Sequence, residues 1–157
     1  MIEENEIIKQ LKRVQKLKAE KFFVKIYNQS EVKKFIVNLN TDQLRYDFIN
    51  SNGVQLSSVG GDYSPVTIEI SAAKGRPKSG RSSVDLYDTG KFQRSFKVSK
   101  VDGKGFVIDA NDPNDLEGSF GRDIYGLSAD SIELLTEKVL PIWQKMLLNY
   151  LLNGSIS

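Results

Sequence analysis

The sequence predicts an α+β fold: a small antiparallel sheet with a central hairpin, packed against N- and C-terminal helices. Three observations carry this expectation. Apolar residues recur at helical spacing near both ends of the chain, at Ile7, Leu11 and Val14 and again from Ile132 to Tyr150. Between them, the runs Ser95–Lys100 and Gly105–Ala110 flank Asp102-Gly103, a dipeptide that favours a hairpin turn. No internal repeat or linker divides the 157 residues, so a single domain over 1–157 is expected.

The elements follow in order. Residues 1–21 hold a basic amphipathic helix, periodic over 3–21, in which Ile8 and Leu17 widen the Ile7–Leu11–Val14 stripe. Glu3, Glu4 and Glu6 precede the lysines, the order that complements a helix dipole. The stripe is narrow, so this helix should pack on one side only, against its own chain or a neighbouring subunit. Lys21–Tyr27 reads as the end of that helix or as a short strand. Phe35-Ile36-Val37 reads as a short strand or a buried helical turn. Asn40-Thr41-Asp42-Gln43 is placed to cap a short helix through Phe48. Asn52-Gly53 and Gly60-Gly61 mark breaks.

Ser64-Pro65 starts a short helix, because serine caps and proline suits the first helical position; Val66–Ile70 is rich in β-branched residues and argues the other way. Residues 74–83 form a loop with Gly, Pro, Ser and four basic residues, expected to be mobile and to order when a partner is present. Asp88-Thr89-Gly90 can cap a short helix through Arg94 that leads into the hairpin. Asn111–Gly121 is a connection with room for one helical turn. Ser128 caps the strongest helix, 129–152. Pro141 removes one hydrogen bond inside it and should kink it. Apolar residues on more than one side of this helix imply burial from several directions, with part of the cover supplied by another subunit.

The chemistry open to the chain is narrow. It has no cysteine and no histidine. That excludes disulfides, thiol nucleophiles, thiolate or imidazole zinc sites, and every Ser-His or Cys-His pair. An enzyme here would work with carboxylates, Lys, Ser or Tyr alone. Net charge is +2, but it is unevenly placed. From Lys9 to Lys34 nine basic residues face two acidic ones, a local +7. From Asp102 to Glu137 nine acidic residues face Lys104 and Arg122, a local −7. These are either two solvated faces or surfaces that meet neighbours or a polyanion. A basic N-terminal helix also permits weak DNA contact. No targeting segment is read, since Met1-Ile2-Glu3-Glu4 starts acidic. The most apolar stretch, Val139–Leu152, has 14 residues and holds Pro141, Gln144, Lys145 and Asn149. A spanning helix needs about 20 apolar residues, so no membrane contact is expected and the chain should be soluble and intracellular when made.

Several local patterns imitate chemical motifs. Gly75–Ser82 has the spacing of a phosphate loop, but Arg81 stands where the lysine belongs and no helix is expected after it. Asp109–Asp115 imitates a calcium loop, yet Pro113, Asn114 and Phe120 occupy positions that need a ligand, Gly and Glu. Asp85, Asp88 and Asp109 lie near expected strand ends, where carboxylate pairs could perform glycoside chemistry. Trp143, the only tryptophan, falls in the terminal helix and reads as a core or interface anchor. No catalytic residue, metal or cofactor is assigned.

One segment carries more. Val84–Val98 holds Leu86, Thr89, Gly90, Ser95 and Phe96 in the order Leu-x-x-Thr-Gly-x-x-x-x-Ser-Phe. Downstream lies Phe120-Gly121-Arg122-Asp123-Ile124-Tyr125-Gly126-Leu127-Ser128, then a helix with Leu140-Pro141. Upstream lie Leu44–Gly53 and Tyr63-Ser64-Pro65. Together these resemble the small morphogenesis proteins of tailed bacteriophages, of the tail-completion, minor tail or head–tail joining type. The downstream stretch with its Leu140-Pro141 helix looks like the version carried by phages and prophages of Bacteroides-type hosts. The likeness covers most of residues 35–152. It departs from the common pattern in lacking a Gly-x-x-x-x-Tyr-Ala-x-x-His element.

The resemblance implies a structural virion protein that is not an enzyme and needs no cofactor. It implies a homo-oligomer, a ring at the head–tail interface or the top of the tail, meeting connector or tail-tube subunits. Its places would be the virion and, during assembly, the host cytoplasm. Leu86, Thr89, Gly90, Ser95 and Phe96 are then structural motif residues. Charge and apolar layout suggest Lys9, Lys12, Lys16, Arg76, Lys78, Arg81, Trp143, Leu147 and Leu151 as interface residues. The alternative is a nucleic-acid-binding accessory protein that uses the basic 9–34 region and the 74–83 loop.

Overall fold

The computed structural model describes residues 2–156, with side chains from Glu6 onward. Three helices open the chain: α1 (Ile2–Lys16), α2 (Ala19–Tyr27) and α3 (Ser30–Asp42). The helix expected over 3–21 is therefore two helices. Lys18 is extended, at φ −117° and ψ 102°, and breaks the run. The break re-aims the apolar stripe: α2 buries Phe22 and Ile26 completely, whereas Ile7, Leu11 and Val14 of α1 stay in solvent.

Lys21–Tyr27 and Phe35-Ile36-Val37 are helical, which settles both alternatives left by the sequence. In α3, Val32, Ile36 and Asn40 line up four residues apart and are fully buried. Asn40–Gln43 does not cap a new helix. It ends α3 and passes into a single π-turn, Gln43–Asp47, which Phe48 stops in the left-handed region at φ 58°. The reason is that Asn40 and Gln43 serve the core. Asn40 Nδ2 donates to Ile124 O (3.0 Å), and its Oδ1 accepts from Gly126 N (3.1 Å). Gln43 Nε2 donates to Gly126 O (2.8 Å), while its Oε1 accepts from Ser128 N (2.9 Å) and Ser131 Oγ (3.0 Å). Buried amides thus satisfy backbone that no secondary structure could pair.

Two short helices follow, α4 (Leu56–Gly60) and α5 (Pro65–Ala73). Ser64 caps α5 by accepting from Thr67 N at 3.1 Å, so cap and proline outweigh the β-branched run. After an irregular stretch come α6 (Lys91–Arg94), β1 (Lys97–Asp102) and β2 (Gly105–Asp109). The strands pair antiparallel, with Val98 opposite Ile108, Asp102 opposite Gly105, and a bulge between Val98 and Lys100. Asp102 Oδ1 accepts from Lys104 N (2.9 Å) and Gly105 N (3.1 Å), which builds the expected turn. Then come α7 (Leu116–Phe120), a 3-10 turn at Arg122–Ile124, and α8 (Ala129–Asn153). Ser128 caps α8 as expected, accepting from Ser131 N at 3.3 Å, and Pro141 lies inside the helix.

The two-stranded sheet lies over α2 and α3, and α8 packs across α1, α2 and α3. Phe22, Ile26, Val32, Ile36, Val98, Ile108, Leu135, Val139 and Met146 form the core between them. Phe22 meets Tyr150 edge-on at 5.6 Å, and Tyr27 stacks on Phe106 at 5.6 Å. Among the described residues, no helix is long and apolar enough to cross a membrane.

Candidate assembly surfaces

The Leu86–Phe96 segment folds as a brace between the loop region and the hairpin. Leu86 is buried with a positive φ of 51°, and its carbonyl accepts from Gln93 Nε2 at 2.8 Å. Gly90 sits at φ 76° as the residue before α6. The backbone there favours glycine, and a Cβ, 2.7 Å from Arg94 Nη1 and 2.9 Å from the Tyr87 hydroxyl, would also have to displace the ends of those side chains. Thr89 Oγ1 accepts from Lys91 N (3.4 Å), and Thr89 O accepts from Arg94 Nη2 (3.1 Å). Ser95 Oγ donates to Phe92 O (2.6 Å) and accepts from Asn111 N (2.9 Å), tying the entry of β1 to the exit of β2. Phe96 enters the core edge-on to Phe92 at 4.9 Å. All five motif residues have work in the fold.

The basic loop is fastened to this brace. The Lys78 ammonium contacts Asp85 Oδ1 at 2.8 Å and donates to Tyr87 O. Asp85 Oδ1 also accepts from the Tyr63 hydroxyl (2.7 Å) and Tyr87 N (3.0 Å). Lys78 is only 9% exposed and Asp85 19%. Burial, then the hydrogen bond to Asp85, pushes the Tyr63 hydroxyl pKa well above the ordinary tyrosine range. Arg81 Nε donates to Tyr63 O (3.2 Å), and Tyr63 N donates to Arg81 O (2.8 Å). Arg76 Nη1 donates to Asp88 O at 2.8 Å. The loop expected to order only beside a partner is thus tied to its own chain at Arg76, Lys78 and Arg81. A cleft of about 520 Å³ opens beside it, walled by Ile70, Leu86, Phe92, Leu116 and Phe120, with Lys74 and Lys91 also in its lining.

The sequence singled out Lys78 and Asp85 separately, one for charge and one for acidity, and missed their pairing. It also missed Arg13. That guanidinium donates to Leu151 O and, at 2.6 Å, to Leu152 O, closing the C-terminus of α8. Tyr150 returns a bond from its hydroxyl to Arg13 O at 3.2 Å. No local pattern announces a contact between α1 and the far end of the chain.

The outer surfaces are uneven. On α1, Ile7, Ile8, Leu11 and Val14 are 44–58% exposed. Lys9 pairs with Glu6 at 2.6 Å, and Lys12 and Lys16 point to solvent. On α8 the residues proposed as interface anchors face inward more than out: Trp143 and Leu147 pack against the core, and Leu151 is half-buried. The exposed leucines of α8 are Leu134, Leu140, Leu148 and Leu152.

The motif look-alikes dissolve into local structure. Residues 84–88 form no helix after the Gly75–Ser82 loop. Asp112 Oδ2 accepts from Glu117 N at 2.7 Å, so the calcium-like run caps α7. Asp85 is engaged by Lys78, Asp88 lies 3.5 Å from Arg76, and Asp109 accepts from Ser99. Among the described residues, no group of three or more Asp or Glu is placed to hold a metal ion. No protein-family model matches the chain, and neither a curated protein nor a solved structure matches it at a level that marks relatedness.

Proposed function

We propose that this chain is a structural protein of a tailed-bacteriophage virion, without enzymatic activity, that acts in tail completion or head–tail joining as a subunit of an oligomeric ring. The observation that supports this most is the pairing of a motif devoted to the fold with apolar surface left uncovered. Leu86, Thr89, Gly90, Ser95 and Phe96 all brace the chain. Ile7, Leu11, Val14, Leu140 and Leu148 remain exposed on α1 and α8. Apolar rows of this extent on charged helices favour contact with another protein surface. Its locations would be the virion and the host cytoplasm during assembly, with connector or tail-tube subunits as neighbours. The test is mass spectrometry of purified particles and assembly intermediates. The chain should be present in both; its absence from all of them overturns the proposal.

The nucleic-acid reading keeps one of its two supports. Lys9, Lys12, Lys16 and Lys18 are exposed, but Arg76, Lys78 and Arg81 bind within the chain. DNA binding through α1 and α2 would weaken steeply with salt. No binding to single- or double-stranded DNA at low salt removes this reading.

A further inference from the structure

We propose that α1 of one copy seats its apolar stripe in the groove between α2 and α8 of a second copy. The proposal rests on the oligomeric reading above and names the surfaces that meet.

The donor surface is a helix attached to its chain by one side. Arg13 and Leu17 turn toward the body, while Ile7, Ile8, Leu11 and Val14 face solvent. The receiving surface is an open groove of about 330 Å³ walled by Phe23 and Tyr27 of α2, Leu140 and Trp143 of α8, and Gly103 at the hairpin turn. Among the described residues, none of α1 lines the groove of its own chain. It has room for aliphatic side chains, and its walls match their chemistry.

Charge selects a second copy as the occupant. Glu20 lines the groove, and Glu133 and Glu137 are exposed on the side of α8 that carries Thr136 and Leu140, three or four residues away. Lys12 and Lys16 are exposed on α1. None of Glu20, Glu133, Glu137, Lys12 and Lys16 has an ion-pair partner among the described residues. Uncovered apolar surface with unpaired cations therefore meets uncovered apolar surface with unpaired anions. Stripe and groove are different surfaces, so each copy has both free. The contact is head-to-tail and repeats from copy to copy, closing a ring if the rotation allows.

Sedimentation equilibrium of the full chain at low salt, from micromolar to millimolar concentration, tests the contact. The wild type should associate, and Leu11→Asp should weaken association at least about tenfold. Lys12→Glu with Lys16→Glu should weaken it too, as should Glu133→Lys with Glu137→Lys. The chain carrying all four reversals should recover. These side chains are exposed, and circular dichroism checks that each variant keeps the fold. A wild type that stays monomeric at millimolar concentration overturns the contact. So does a four-fold reversal that associates no better than either pair. Binding to phosphatidylcholine–phosphatidylglycerol vesicles that Leu11→Asp abolishes, with self-association unchanged, assigns the stripe to lipid and also overturns it. The virion reading is judged separately, by presence in particles.

Discussion

Replacing Asp85 with Asn tests whether the loop is held by a buried ion pair. The substitution removes the charge but keeps an oxygen that can still accept from the Tyr63 hydroxyl and Tyr87 N. At 2.8 Å, and with both side chains largely buried, the gross attraction to Lys78 is about 6 kcal/mol at an effective dielectric of about 20. Most of that is offset by the cost of taking the two ions out of water. What remains after the change is an ammonium that keeps the Tyr87 carbonyl and the face of the Tyr63 ring, 4.9 Å away. Breaking one side of such a pair costs about 3–5 kcal/mol. Lys78→Met should cost less, about 1–3 kcal/mol, because Asp85 keeps two donors. Lys78→Met with Asp85→Asn leaves no buried charge and should return to within about 1 kcal/mol of wild type. Urea unfolding of the four proteins gives the cycle, and limited trypsin digestion reads the loop, since cleavage after Lys78 and Arg81 should be quicker in Asp85→Asn than in wild type. An Asp85→Asn protein as stable as wild type, or a double variant no better than the single, refutes the reasoning.

Gly90→Ala should destabilise by about 2 kcal/mol in denaturant melts, combining a left-handed backbone with the crowding from Tyr87 and Arg94. Gly53→Ala, at φ +72° with nothing within 4 Å, should show only the backbone part, about 1 kcal/mol. Gln43→Leu should cost about 3 kcal/mol or more in thermal or urea unfolding, because it strips partners from Gly126 O, Ser128 N and Ser131 Oγ in the core. Stability should also fall at alkaline pH. Burial, with Asp112 and Glu117 nearby, raises the Tyr125 hydroxyl to about 12, and Tyr63 and Tyr27 are raised as well. The unfolded chain loses these protons near 10, before the folded chain does. The stabilisation is therefore complete below that pH and is lost as pH climbs toward the folded values. Melts across this window should show less of the loss in Tyr63→Phe.

The parts of the fold legible in the sequence are those written locally. Ser128 before an apolar period, Asp102-Gly103 between alternating runs, and Ser64-Pro65 each state their element within a few residues. Residues 19–47 were harder, because their decisive partners lie far along the chain. The buried row of α3 ends on Asn40, whose polar side chain breaks the apolar period and whose partners are at 124 and 126. The break at Lys18 has no glycine or proline to mark it; it exists because Phe22 and Ile26 face the core while α1 does not. For the candidate surfaces, the motif and the basic loop were found, but not the pairing of Lys78 with Asp85. In α8, apolar residues on every side conceal which side the core covers, so Trp143, Leu147 and Leu151 could not be told in the sequence from the exposed Leu134, Leu148 and Leu152.

A sheet of two strands has two edges, each able to accept a foreign strand. In this hairpin the register slips at the bulge beside Ser99, and Lys97 and Lys100 stand exposed along β1. A second strand laid there would meet a kinked ladder and two like charges from every copy. Along the β1 edge the chain is thus guarded against sticking to its own kind by its backbone, the route that leads to aggregation. The proposed contact between copies would rely instead on side chains, which a sequence can tune one residue at a time.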